Sequence, residues 1–288
     1  MSHAEALLAM TPGAVISTFG GNFASNAFAR PEATDALPVI IPAYNKEDSS
    51  LIWTLGSLAR ASDVGEQPIQ LLIVINGPGD GRLEEVCADF HLEPGTQVLH
   101  SPKGKVTALQ VGVHELLNNQ EYQGPFATTD DDVLIQPDWA QYVTSHMSIS
   151  DKEAVSGGAI RYYPVPGVSR SVLAVRNLAN AVAETKARRG GTVRAHGNNQ
   201  WFRANSEGKV RSVFQSMDNT IGYGDDAAIV AAMQSGEVGV LPMSLSKEAQ
   251  VLTAGDRTRS FVDLFRTAVG DGYSRYANDA SWQRANSQ

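Results

Sequence analysis

Three compact apolar runs in the first half of the chain, each stopping abruptly at polar residues, restrict the fold more than any other feature. The first is Leu37-Pro38-Val39-Ile40-Ile41-Pro42-Ala43, followed by Tyr44-Asn45; the second is Leu71-Leu72-Ile73-Val74-Ile75, followed by Asn76. The third starts at Phe126-Ala127 and runs through two threonines into Asp130-Asp131-Asp132. Short, continuous apolar runs mark strands buried on both faces, as in parallel sheets covered by helices. Between the runs, apolar residues recur at helical spacing: Leu51, Leu55, Leu58 and Ala59, then Leu83, Val86, Cys87 and Phe90, then Val106, Leu109, Val113, Leu116 and Leu117. Asp48-Ser49-Ser50 can cap the first of these helices, and Val98-Leu99 supplies a further short strand. The alternation predicts an α/β fold with a mainly parallel sheet. Such sheets bind ligands beyond the carboxyl ends of their strands. Tyr44-Asn45, Asn76 with the residues up to Asp80, and Asp130-Asp131-Asp132 occupy three of those ends.

Three adjacent carboxylates repel one another, and burying even one unpaired carboxylate is costly. Something positive should sit beside them, and a divalent cation is the simplest choice. Hard ions such as Mg²⁺ or Mn²⁺ take carboxylate oxygens and often complete their shell with phosphates. The run is therefore read as a metal–diphosphate site, although an acidic cluster alone is as often a solvated loop.

Composition narrows the partners. With 288 residues, 42% of them hydrophobic, the chain can bury a sizeable core. Lys+Arg 23 against Asp+Glu 31 gives a net charge of −8, and the densest basic stretch, Lys186-Ala187-Arg188-Arg189, reads as the solvated end of a helix. Nucleic acid is not expected as a principal partner. Cys87 is the only cysteine, so no disulfide framework or cysteine-based zinc site is expected and a reducing compartment fits. The N-terminus does not read as a signal peptide, and no apolar run reaches the length of a membrane span. The expectation is a cytoplasmic protein.

The second half is more mixed. Residues 154–163 read as a strand interrupted at Gly157-Gly158, and residues 171–189 as a long helix with Val175, Leu178, Ala179 and Val182 near one face. Residues 193–203 read as strand and turn, and Gly224-Asp225-Asp226 opens an alanine-rich helix that runs to Met233. A last strand falls at Val238-Gly239-Val240-Leu241-Pro242, and residues 260–268 are amphipathic.

Together these blocks resemble the family-2 glycosyltransferases over about residues 38–245. Val39 through Glu47, with Thr54-Leu55-x-Ser57-Leu58 downstream, is similar to the family's first strand and nucleotide loop. Ile75-Asn76-Gly77-x-Gly79-Asp80 is similar to its second-strand motif, with Gly79 in place of the usual serine. Lys103-Gly104-Lys105 resembles the block before the acidic motif, and Asp130-Asp131-Asp132 with Pro137-Asp138-Trp139 resembles the Asp-x-Asp signature. Gly197-Asn198-Asn199 and Phe202-Arg203 resemble the acceptor-side block; Gly224-Asp225-Asp226 resembles the Gly-Glu-Asp that carries the catalytic base.

The resemblance implies a GT-A fold: one large α/β domain with a Rossmann-like, mixed but mainly parallel sheet flanked by helices. Its implied divisions are an N-terminal extension (1–36), a body (37–250) with a nucleotide-binding half (37–140) and an acceptor half (141–250), and a C-terminal helical tail (251–288). The implied activity is an inverting transfer of one hexosyl unit from a nucleotide-sugar, such as a UDP- or GDP-sugar, held with Mn²⁺ or Mg²⁺. The acceptor would be a glycan, a lipid-linked molecule or a small molecule. Donor contacts are expected from Pro42, Ala43, Tyr44, Asn45, Glu47, Asn76, Asp80, Lys105, Asp130 and Asp131. Asp132 is the expected metal ligand, with Asp130 on ribose or metal; Asp226 is the expected base, and Asp225 a helix cap or acceptor contact. Arg257 and Arg259 could clamp a diphosphate.

Plainer readings stand beside these. Asn45 and Asn76 suit turns, Lys105 could be a solvated lysine, and Asp225 and Asp226 could cap a helix. Trp201 could stack on a sugar or belong to the core, and His196 is by default a hydrogen-bonded histidine. The Gln-x-x-Arg-Trp motif of processive synthases is absent, so a single sugar is expected per event. No histidine follows His196, so the late histidine metal ligand of many relatives is missing. Two rival functions remain: a non-catalytic nucleotide-sugar or carbohydrate-binding protein with this fold, and a sugar-phosphate nucleotidyltransferase. The latter would want a glycine-rich, basic loop where Pro42-Ala43-Tyr44-Asn45 stands.

Overall fold

A computed structural model describes residues 3–20, 36–44, 48–65, 67–78, 81–95, 97–118, 122–163, 168–190, 198–217, 229, 232–233, 235 and 237–254. In chain order they form α1 (His3–Leu8), α2 (Pro12–Phe19), β1 (Leu37–Ala43), α3 (Asp48–Val64), β2 (Ile69–Asn76) and α4 (Arg82–Asp89). Next come β3 (Val98–Ser101), α5 (Lys105–Asn118), β4 (Pro125–Thr128), β5 (Val133–Ile135), α6 (Trp139–Met147), β6 (Ala154–Gly157) and β7 (Ile160–Tyr163). The remainder are α7 (Arg170–Arg189), β8 (Gln200–Arg203), α8 (Lys209–Ser216), β9 (Gly239–Val240) and β10 (Val251–Ala254).

The apolar runs become the centre of a seven-stranded sheet ordered β3-β2-β1-β4-β8-β6-β9. Its first four strands are mutually parallel; β8 runs antiparallel to both β4 and β6, and β9 returns parallel to β6. All of β1 is buried, and so is β2 up to its last residue, as continuous hydrophobicity requires. One face packs on α3, α4 and α6 through residues such as Leu55, Phe90 and Trp139; the other packs on α5 and α8 through Leu109, Val113 and Phe214. The mixed, mainly parallel sheet flanked by helices is the fold expected above. Among the described residues, no helix is long and apolar enough to cross a membrane.

Five differences from the sequence reading have physical causes. The N-terminal extension holds a helix that had no expectation, α2, capped by Thr11 Oγ1 accepting the Ala14 N–H, with Pro12 in its first turn. Leu7, Val15 and Phe19 join the core, so this segment is part of the packed body. Val133-Leu134-Ile135, too short to stand out after the acids, forms β5. The strand read over 154–163 divides at Gly158 into β6 and β7, which belong to different sheets. Residues 251–254, assigned to a helical tail, form β10 instead, the central strand of a second sheet ordered β5-β10-β7.

The fifth difference concerns α7. Val175, Leu178 and Val182 lie on its exposed side, at 44%, 67% and 63% exposure, whereas Asn180 and Glu184 are buried. Helical spacing identified a stripe but not which way it faces. Asn177 exchanges two hydrogen bonds with the Tyr162 backbone (2.7 and 3.1 Å), and Glu184 accepts the Ile160 N–H at 3.0 Å. Those polar contacts with the open edge of β7 turn the helix.

Candidate active site

The carboxyl ends of β1, β2 and β4 converge, and the acidic turn sits among them. Asp131 accepts the Tyr44 N–H on Oδ2 at 2.8 Å, joining the end of β1 to the turn after β4. Asp130 pairs with Lys105 Nζ at 2.8 Å, with about a quarter of each side chain exposed (21% and 29%). Lys105 opens α5, and the residue before it, Gly104, donates its N–H to Asn76 Oδ1 at 2.5 Å. Asn76 in turn is the last residue of β2. A continuous path therefore links Asn76, Gly104, Lys105, Asp130, Asp131 and Tyr44.

The glycine after Asn76 makes this path possible. Gly77 has φ +92 and donates to the Ser101 carbonyl at 2.9 Å, while a Cβ there would reach only ordinary van der Waals contact with Lys103. A side chain at this left-handed position would be strained.

The positive partner expected beside the three acids is thus supplied in part by Lys105. Asp131 is partly buried, and desolvation pushes its pKa from 3.8 up to about 6; the Tyr44 N–H and Lys105 oppose the rise, while the Asp130 charge adds to it. Asp132 lies partly exposed in the same turn. Among the described residues, no group of three or more His, Cys, Asp or Glu side chains is placed to hold a metal ion. The hard carboxylates of Asp130 and Asp132 flank the middle acid, one of whose oxygens accepts the Tyr44 N–H. Two such oxygens fit a Mg²⁺- or Mn²⁺-type ion that takes its other ligands from phosphate and water.

Of the residues expected at the site, Tyr44, Asn76, Lys105, Asp130, Asp131 and Asp132 are gathered here. Pro42 and Ala43 are buried within β1, which leaves their side chains to the core. Asn76 uses its side-chain oxygen to hold the loop before α5. Asn45, Glu47, Asp80, Asp225, Asp226, His196, Arg257 and Arg259 lie outside the described residues. Trp201 is fully buried, with its ring beside Tyr142 and His146, so it belongs to the core.

Two sets of residues that stand in the family-like blocks take structural roles that the sequence reading did not assign. Asn199 is a buried hub: its Oδ1 accepts from the Trp139 and Trp201 indoles at 3.1 and 2.9 Å, and its Nδ2 donates to the Ala159 and Ala249 carbonyls at 3.2 and 2.9 Å. Thr54 and Ser57 of α3, both fully buried, bond to the backbone around β5. The available signal was a pair of hydroxyls three residues apart on the apolar face of a helix, since buried hydroxyls require partners.

The sequence profile of Glycosyl transferase family 2 matches residues 39–211. No curated protein sequence matches the chain. Solved structures similar to it include glucosyl-3-phosphoglycerate synthase from Mycobacterium tuberculosis in complex with phosphoglyceric acid, at 14% identity and TM-score 0.46, covering 89% of this chain and 79% of that one. The same enzyme in complex with Mn²⁺, uridine diphosphate and glucosyl-3-phosphoglycerate matches at 13% identity and TM-score 0.45, covering 93% and 84%. A further mycobacterial protein matches at 16% identity and TM-score 0.45, covering 93% and 79%.

Proposed function

This chain belongs to glycosyl transferase family 2, and from that premise we propose that it moves one sugar from a nucleotide-sugar to an acceptor hydroxyl with inversion. The observation that carries the reading is the convergence of Tyr44, Lys105 and the acidic turn on one set of strand ends. That is where an open α/β sheet receives its ligand. The donor's nucleotide, of a UDP- or GDP-sugar, would lie across the ends of β1, β2 and β4. Asp132 and Asp130 would hold a divalent cation beside the diphosphate. When bound, that ion supplies Lewis-acid neutralisation of charge on the leaving diphosphate. Lys105 offers a second positive group at the same place, and its ion pair with Asp130 keeps it aimed there.

Asp226 takes the proton of the acceptor hydroxyl as the oxygen attacks the anomeric carbon from the face opposite the leaving group. Asp225, its neighbour in the chain, would serve as a helix cap or as an acceptor contact. The residues after 140 form the acceptor side, which takes a glycan, a lipid-linked molecule or a small molecule.

The first experiment is a thermal-shift screen of nucleoside diphosphates and nucleotide-sugars with Mn²⁺, Mg²⁺ or chelator, since a ligand of the folded state raises the melting temperature. A metal-dependent shift with one base is expected, and it should be lost in Asp132→Ala. Asp226→Asn should keep that shift while lowering turnover by roughly 10²–10⁴-fold. No shift with any donor defeats the proposal; near-normal turnover in Asp226→Asn removes the base from it.

A further inference from the structure

Strand β5 has one strand neighbour among the described residues, β10, which pairs Thr253 with Val133 and Val251 with Ile135. Its other edge meets side chains of α3. Thr54 Oγ1 accepts the Val133 N–H at 3.1 Å and directs its own hydrogen to the carbonyls of Val133 and Asp131, at 2.9 and 3.0 Å. One helical step further, Ser57 Oγ accepts the Ile135 N–H at 3.0 Å and donates to the Thr54 carbonyl at 2.8 Å. Alternate residues of a strand turn their backbone groups the same way, and residues three apart on a helix share a face. The two hydroxyls therefore stand in for the missing strand. Aliphatic side chains would pack here equally well with Leu51, Leu55 and Leu58, yet would leave two buried N–H groups unpaired.

The placement relative to the acids is specific. One oxygen atom, Thr54 Oγ1, contacts backbone on both sides of Asp132: the carbonyl before it and the amide after it. Resting on the donor-site reading above, we infer that Thr54, supported by Ser57, is a positioning residue for the Asp132 carboxylate. Neither hydroxyl touches donor or metal. They hold the turn's backbone to a helix that is itself locked in the core, so the register of α3 sets where Asp132 presents its oxygens. Groups that orient a ligand from behind typically contribute 10–100-fold to metal affinity.

The test measures UDP and GDP affinity by calorimetry, in Mn²⁺ and in chelator, for the unmodified protein, Thr54→Val, Thr54→Ser and Ser57→Ala. Thr54→Val should weaken the Mn²⁺-dependent affinity by at least about tenfold while the affinity in chelator moves by less than about twofold. General disruption of the site would move both. Thr54→Ser, which keeps the hydroxyl, should recover the Mn²⁺-dependent affinity to within about threefold of the unmodified protein. A folded Thr54→Val with unchanged Mn²⁺-dependent affinity overturns the inference and leaves the donor reading standing. If the unmodified protein shows no Mn²⁺-dependent binding of either nucleotide, the donor reading itself fails, and the inference with it. Should Thr54→Val not fold, Ser57→Ala carries the same comparison. Amide exchange at Val133 and Ile135 in the unmodified protein adds an independent check: slow exchange is expected, and exchange at the rate of an open loop refutes the clip.

Discussion

The two sheets of this protein bury their strands by different means. In the seven-stranded sheet, β2 lies between β3 and β1, and β1 between β2 and β4, with apolar helical faces above and below. Among the described residues, only β10 is interior to the three-stranded sheet, and both edges are closed by helix side chains. Thr54 and Ser57 of α3 serve the β5 edge; Asn177 and Glu184 of α7 serve the β7 edge. An open strand edge must be covered or paired, and here two helices cover it with hydrogen-bonding groups instead of hydrocarbon. The first sheet could be read from hydrophobic pattern because hydrophobicity builds it. The second could not, because its helices turn polar residues inward.

The largest effect that tests this contrast is Glu184→Ala. Glu184 is fully buried, accepts the Ile160 N–H, and pairs with Arg161 at 2.6 Å. Losing it leaves the buried Ile160 N–H without its acceptor and the partly buried Arg161, which also donates to the Ile160 carbonyl, without its carboxylate, a cost of about 3 kcal/mol, readable in urea denaturation. A cost near zero would mean that α7 does not depend on its polar face.

Next in size is the pH response of Asp131. Its folded pKa is raised, from 3.8 to about 6, so between those values the folded chain holds a proton that the unfolded chain has released. Stability in the absence of ligand should therefore fall as pH rises from about 4 to about 6 and then level off. Asp131→Asn keeps an acceptor for the Tyr44 N–H and removes the charge. It should abolish that slope and stabilise the ligand-free protein at pH 7 by about 2–3 kcal/mol, measured as urea midpoints across the pH range. Parallel curves for the two proteins would show that the acidic turn carries no such strain.

The smallest effect is expected at Leu178, which is 67% exposed on the outer side of α7. Leu178→Ser should change stability by no more than about 0.5 kcal/mol, whereas Leu55→Ala, on the buried face of α3, should cost about 2–5 kcal/mol. If Leu178→Ser costs as much as Leu55→Ala, the orientation assigned to α7 is wrong.

Parts of the site were legible for the same reason as the first sheet. A buried strand that stops at three acids announces a strand end, and Tyr44 and Asn76 follow from parallel topology, which brings successive strand ends together; Lys105 was legible only through the family resemblance. Their pairings were not legible. Nothing in Asn76 reveals that its side-chain oxygen holds Gly104, and nothing in Lys105 that it meets Asp130. Trp201 illustrates the limit well: an indole suits a sugar or a core equally, and only the Asn199 acceptor and the rings around it place it inside.

The amino-acid sequence by itself determined the central parallel strands, the helices that cover them, and the position of the acids at a strand end. Those features follow from local apolar patterns, which act over a few residues. Tertiary structure decided which acid meets which partner, which face of α7 turns inward, and that β5, β7 and β10 form a sheet. These depend on hydrogen bonds between residues far apart in the chain, such as Thr54 with Val133 and Asn199 with Ala249. A buried polar group must find a partner, but its own sequence neighbourhood does not say where that partner lies.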